Sequence, residues 1–97
     1  MAYILEIKDE AEQDIIDGFY FYAGKGSNLG EMFVHEIEDV FNYIENNPEH
    51  FQVVYNGHRQ RQLKSFPYLV IYKVIGNRVV VFSVFPAKSD PQKKPSK

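Results

Sequence analysis

The chain has 97 residues, enough for one domain around one modest core. It contains no cysteine, which excludes disulfide frameworks, thiolate metal sites and cysteine nucleophiles. The net charge of −2 conceals a division: residues 1–50 hold 12 acidic and 2 basic side chains, and residues 51–97 hold 9 basic and 1 acidic. The asymmetry points either to an anionic partner for the basic half or to two halves that neutralise each other in the fold.

Eight Phe and seven Tyr let a short chain fill a core from few positions. Nothing at the N-terminus resembles a signal peptide, because Glu6, Lys8 and Asp9 break the short apolar start. No apolar run approaches the roughly 18 residues of a membrane span. A cytoplasmic location is therefore expected.

Tyr3–Ile7 alternates as a short strand does. Asp9 is the expected cap of a first helix, with Glu12 three residues on as in a capping box. Ala11, Ile15, Ile16, Phe19, Tyr22 and Ala23 follow at helical spacing, and Gly24-Lys25-Gly26-Ser27 breaks the helix. Ser27 or Asn28 is expected to cap a second helix. Its stripe is Leu29, Phe33, Ile37, Val40, Phe41 and Ile44, and Pro48 stops it.

After Pro48 the period becomes two. Phe51–Tyr55 reads as a strand, and Asn56-Gly57 as a hairpin turn whose two positions want positive φ. His58–Lys64 returns as a polar strand with an exposed face. Tyr68–Ile75 and Arg78–Phe85 are nearly continuous apolar strands joined at Gly76-Asn77. Residues 86–97 hold three Pro and four Lys and read as a flexible basic tail beyond a domain at 1–85. The order β-α-α-β-β-β-β implies an α+β fold, with two helices on one face of a small, mainly antiparallel sheet.

The run Asn47-Pro48, Phe51, Val53-Val54-Tyr55, Gly57, Arg59, Leu63-Lys64, Phe66-Pro67-Tyr68 and Ile71-Tyr72 resembles the RelE/ParE toxin superfamily. Ala11, Asp14-Ile15, Tyr20, Tyr22, Leu29-Gly30 and Phe33 extend the resemblance over about residues 3–91. It implies the toxin of a bacterial type II toxin–antitoxin system, of the kind linked to plasmid stabilisation and growth inhibition. It also implies a cognate antitoxin and toxin–antitoxin hetero-oligomers. RelE-like members cleave mRNA inside the ribosome, whereas ParE-like members poison DNA gyrase without a hydrolytic site. Neither route implies a cofactor, and His35, His50 and His58 lack metal-ligand spacing.

Metal-independent RNA cleavage needs a base, an acid and a cation at the phosphate. The candidate cations are Arg59, Arg61, Lys64, Lys73 and Lys88, and the candidate acid–base groups are Tyr68, Tyr72, His58 and His35. Each has a plainer reading. Arg59 and Arg61 suit ion pairs with Glu36 or Asp39, Tyr68 and Tyr72 suit the core, and His35 suits a solvated helix face. Leu69, Pro86 and Ser89 stand where RelE-like nucleases carry Arg, His and Arg. These departures favour gyrase inhibition by binding. The alternatives are a ribosome-dependent mRNA endonuclease with an altered site and a non-toxic binding partner.

Overall fold

The computed structural model describes residues 2–87. The elements are β1 (Ile4–Ile7), α1 (Asp9–Ala23), α2 (Leu29–Asn46), β2 (Val53–Tyr55), β3 (His58–Gln62), β4 (Tyr68–Ile75) and β5 (Arg78–Pro86). The α+β class and the chain order are as the periodicity predicts. The five strands form one sheet in the order β1-β5-β4-β3-β2. Only β1 against β5 is parallel; the other three pairings are antiparallel. The β4–β5 hairpin supplies the two long central strands, and β1 and β2 are the edges.

The helices cover one face of this sheet. Phe33, Ile37, Val40, Phe41 and Ile44 of α2 are buried together with Ala11 of α1 and with Val70, Tyr72, Val79, Val81 and Val84 of the sheet. This is the apolar stripe that the helical spacing picks out. Alternation along β4 sends Tyr68, Val70 and Tyr72 to the helix side and Leu69, Ile71 and Lys73 to the open side. A bulge beside Ile71 and Tyr72 shifts the register of β5, so Val81 and Val84 both reach the core although two residues, Phe82 and Ser83, lie between them.

Several local expectations are corrected. Asp9 does not cap α1. Lys8 holds the cap position in extended conformation and no side chain bonds there, so the expected capping box with Glu12 is absent. Asn28 occupies the α2 cap position at φ 72°, again with no side-chain bond. The left-handed conformation that Asn tolerates serves the tight turn between the helices rather than a cap. β2 begins at Val53 rather than Phe51, β3 stops at Gln62 rather than Lys64, and β5 runs one residue past the expected boundary, to Pro86. Ile16 lies off the core and is 46% exposed. The Asn56-Gly57 turn is as expected, with φ of 48° and 78°. The segment from residue 88 onwards lies outside the described residues.

Gly18 of α1 faces the Phe33 ring of α2 with no room for a side chain. A Cβ there would lie 2.6 Å from two ring carbons of Phe33, which has no exposed surface. In an open helix Gly→Ala would stabilise by about 1 kcal/mol. Here Gly18→Ala is expected to destabilise by roughly 1–3 kcal/mol, because the enclosed ring has nowhere to move. Urea unfolding of the two chains checks the sign.

Candidate functional site

The sheet separates the candidate residues. Arg59 pairs across the ladder with Tyr72, and Arg61 with Val70. Both guanidinium groups therefore lie on the helix side, at the end of the sheet near Phe51. Arg59 Nη1 donates to the Phe51 carbonyl, and its Nε is buried without a partner. The Arg61 guanidinium lies 5.2 Å from the centre of the Phe51 ring. Neither pairs with Glu36 or Asp39. The ion pairs among the described residues join Lys8 and Arg78 to Glu6. Glu36 instead accepts the backbone N–H groups of Lys64 and Ser65, which ties α2 to the loop after β3. The Lys64 side chain is exposed there.

Tyr72 is fully buried, and its hydroxyl donates to the Pro48 carbonyl at 3.3 Å. Burial pushes its pKa up to about 12; the nearby Arg59 opposes the rise and Tyr43 adds to it. Tyr68 packs 4.8 Å from Phe33 and 6.0 Å from Tyr22, centre to centre. Its pKa is raised chiefly by burial, then by Tyr22, Asp14 and Asp17. Both phenols keep their protons at neutral pH. His35 is exposed on α2, and His58 stacks on Tyr55 with ring centres 5.0 Å apart. Lys73 lies on the open face, and Lys88 lies outside the described residues.

Along its cross-strand rows the open face carries its charge at the β4–β5 turn end, as Lys73, Glu6 and Arg78. The rows run Gln62–Leu69–Phe85, Gln60–Ile71–Ser83 and Lys73–Val80–Glu6. Ile71 and Val80 are buried there without help from the helices, flanked by neighbouring strands. Grooves open on the helix side, two of them beside the candidate residues. One is lined by Asp39, Val40, Tyr43, His50, Phe51 and Arg61. The other lies between α1 and the ends of β4 and β5, with Asp14, Phe21, Tyr22, Tyr68 and Pro86 among its walls. Among the described residues no group of three or more His, Asp or Glu could hold a metal, and no helix is long and apolar enough to cross a membrane.

Sequence reasoning passed over Asp14 and the His50 cluster. Asp14 Oδ2 accepts the Val84 N–H at 2.9 Å, beside the bulge, and so ties α1 to β5. Tyr43 Oη and His50 Nδ1 are 3.2 Å apart, and the His50 ring meets Phe51 edge-on. No spacing rule brings these positions together; the turn after α2 does.

Burial is the largest influence on Asp14 and raises its pKa; the Val84 N–H opposes this, and Glu10 and Asp17 add to it. A raised carboxyl favours the protonated form in the fold. Its stabilising effect is full below the unfolded value near 3.8 and is lost as pH rises through the folded value. Asp14→Asn keeps an acceptor for Val84 and removes the charge. Its melting temperature is expected to match or exceed that of the parent at pH 7, with the difference closing by about pH 3.5. Asp14→Ala strands the N–H and is expected to lose roughly 1–3 kcal/mol. Thermal melts across that pH range check both variants.

Comparison with known proteins agrees with this architecture. A family model described as the ParE toxin of the type II toxin–antitoxin system, parDE, matches residues 5–91. The structure is similar to the chromosomal ParDE toxin–antitoxin system from P. aeruginosa, with TM-score 0.67 and 14% identity over 90% of this chain and 98% of that one. It is similar to the isolated E. coli RelE toxin, with TM-score 0.61 and 20% identity over 94% of this chain and 90% of that one. The E. coli DinJ–YafQ toxin–antitoxin complex gives TM-score 0.61 at 12% identity, over 89% and 93%. No curated protein matches in sequence. At these identities the structural likeness speaks for the fold, and the family match over nearly the whole domain speaks for kinship. The chain belongs to the ParE toxin family of type II toxin–antitoxin systems, within the RelE/ParE superfamily.

Proposed function

We infer that this toxin acts by binding DNA gyrase and inhibiting it, with no hydrolytic step of its own, and that a cognate antitoxin neutralises it. The observation that carries this reading is the dispersal of the groups that RNA cleavage would need. Arg59 is committed to the Phe51 carbonyl and Arg61 lies against the Phe51 ring. The Tyr72 hydroxyl is enclosed on the Pro48 carbonyl with its pKa at about 12, far from the value a base needs at neutral pH. Tyr68 stands four residues earlier on β4, among Tyr22 and Phe33. Lys73 is on the opposite face. Arg59 stands across the ladder from Tyr72, but that hydroxyl is enclosed and keeps its proton, so the pair offers a phosphate a cation without a base.

The P. aeruginosa structure is described as a ParDE system, and the E. coli RelBE and DinJ–YafQ structures as toxin–antitoxin complexes. Those descriptions support an antitoxin as the natural partner here. The exposed outer surface of the helices, with Ile16, Tyr20, Phe21 and Met32, offers apolar area to a binding partner.

The test is inducible expression of the chain alone in bacteria, with separate pulse-labelling of DNA and protein synthesis. DNA synthesis should fall and cells filament while translation continues, and the purified chain should inhibit gyrase supercoiling. A prompt fall in protein synthesis with cleaved ribosomal mRNA would replace this reading with nuclease action through Arg59, Arg61, Lys64 and Lys88. Normal growth would identify a non-toxic member that has kept only its binding role.

A further inference from the structure

We propose that Arg59 and Arg61 form a receptor for a single carboxylate side chain on an otherwise uncharged protein segment, seated in the groove between the end of α2 and β3. The inference does not depend on what the toxin inhibits. Three observations carry it.

The first is an unmet donor. Arg59 Nε is buried and has no hydrogen-bond partner, while the same guanidinium spends Nη1 on a neutral carbonyl. A partly buried guanidinium without an anion is costly unless something supplies one. The second is alignment. Arg59 and Arg61 alternate on one face of β3, so both point to the helix side, and neither is ion-paired among the described residues. Phe51 links them, because its carbonyl takes Arg59 and its ring carries Arg61. A planar carboxylate matches a guanidinium fork with two parallel N–H donations. The third is the form of the groove. Arg61 and Phe51 line it with Tyr43, His50, Val40 and Asp39, so a carboxylate entering it meets a cation and rings for its methylene stem.

The charge around the groove chooses the ligand. Glu36, Glu38, Asp39 and Glu45 lie along α2, and Glu49 follows it. A nucleic-acid strand brings a charge at every phosphate and would run against these carboxylates. A single acidic side chain on an otherwise neutral peptide presents one charge to the arginines and withdraws the rest of the chain from the acidic rim. The helix-side arginines are therefore a protein-recognition device rather than a phosphate clamp.

The test is a titration of the full 15N-labelled chain, following the arginine Nε–Hε signals. The probe is N-acetyl-glutamate N′-methylamide. The neutral N-acetyl-glutamine N′-methylamide and hexauridylate are the comparison probes. The glutamate probe is expected to shift the Arg59 and Arg61 Nε–Hε signals saturably, with the glutamine probe leaving them in place. Arg61→Gln, at the groove wall, should keep the dispersed amide spectrum of the folded chain and weaken binding by about tenfold or more. Arg59→Lys, which keeps the charge but loses the fork, should also weaken it. Equal shifts from the glutamine probe, or no shift with glutamate, would overturn the proposal. Tighter binding of hexauridylate at the same signals would overturn it in favour of a phosphate ligand.

Discussion

Everything in this domain is arranged around the ring of Phe33. It has no exposed surface, and it meets Tyr22 of α1 at 5.4 Å, Phe66 of the loop after β3 at 5.4 Å and Tyr68 of β4 at 4.8 Å. One residue thus joins both helices, a loop and the central strand. The edge-on contacts with Phe66 and Tyr68 are the favourable arrangement for aromatic quadrupoles. The ring fits only because Gly18 on α1 presents no side chain to it. In a core this small, one large residue with three aromatic partners does what a layer of aliphatics does in a larger domain.

With the helices held on one side, the sheet becomes a partition. Alternation sends Arg59, Arg61, Tyr68 and Tyr72 to the helix side and leaves the open face with Gln60, Gln62, Leu69, Ile71 and Phe85, and with Lys73 beside the Glu6–Arg78 pair. Residues that look like a catalytic set along the sequence are spread along the helix side and engaged in different contacts. On the proposed reading these surfaces serve recognition: apolar area on the helices, and Arg61 in an aromatic groove with Arg59 two residues away on β3.

The acidic and basic halves do not neutralise each other by side-chain pairing. Among the described residues, one ion pair crosses between them, from Arg78 to Glu6. The interior-facing carboxylates take backbone work instead. Glu36 accepts two N–H groups of an irregular loop, and Asp14 accepts one beside a bulge. Both are places where the sheet ladder cannot supply an acceptor, and an unpaired N–H costs more there than a surface ion pair contributes. Arg59 and Arg61 of β3 form no ion pair among the described residues.

The sequence by itself determined the elements, their order and the helical stripe of Phe33, Ile37, Val40, Phe41 and Ile44, because periodicity and turn chemistry act between neighbours in the chain. Asn56-Gly57 is legible for the same reason: two consecutive positive φ angles demand those residues. The kinship was legible as well, in the combined order of Asn-Pro, Phe-Pro-Tyr and the apolar hairpin. The tertiary structure alone decided what the candidate residues touch. Which face of the sheet Arg59 and Arg61 occupy depends on strand register and on where two helices settle, and strand spacing does not encode either. The pairing of Arg59 with a carbonyl rather than with Glu36, and of Glu36 and Asp14 with backbone, follows from which donors the loops and the bulge left without a partner. Those donors exist only once the chain has closed on its core.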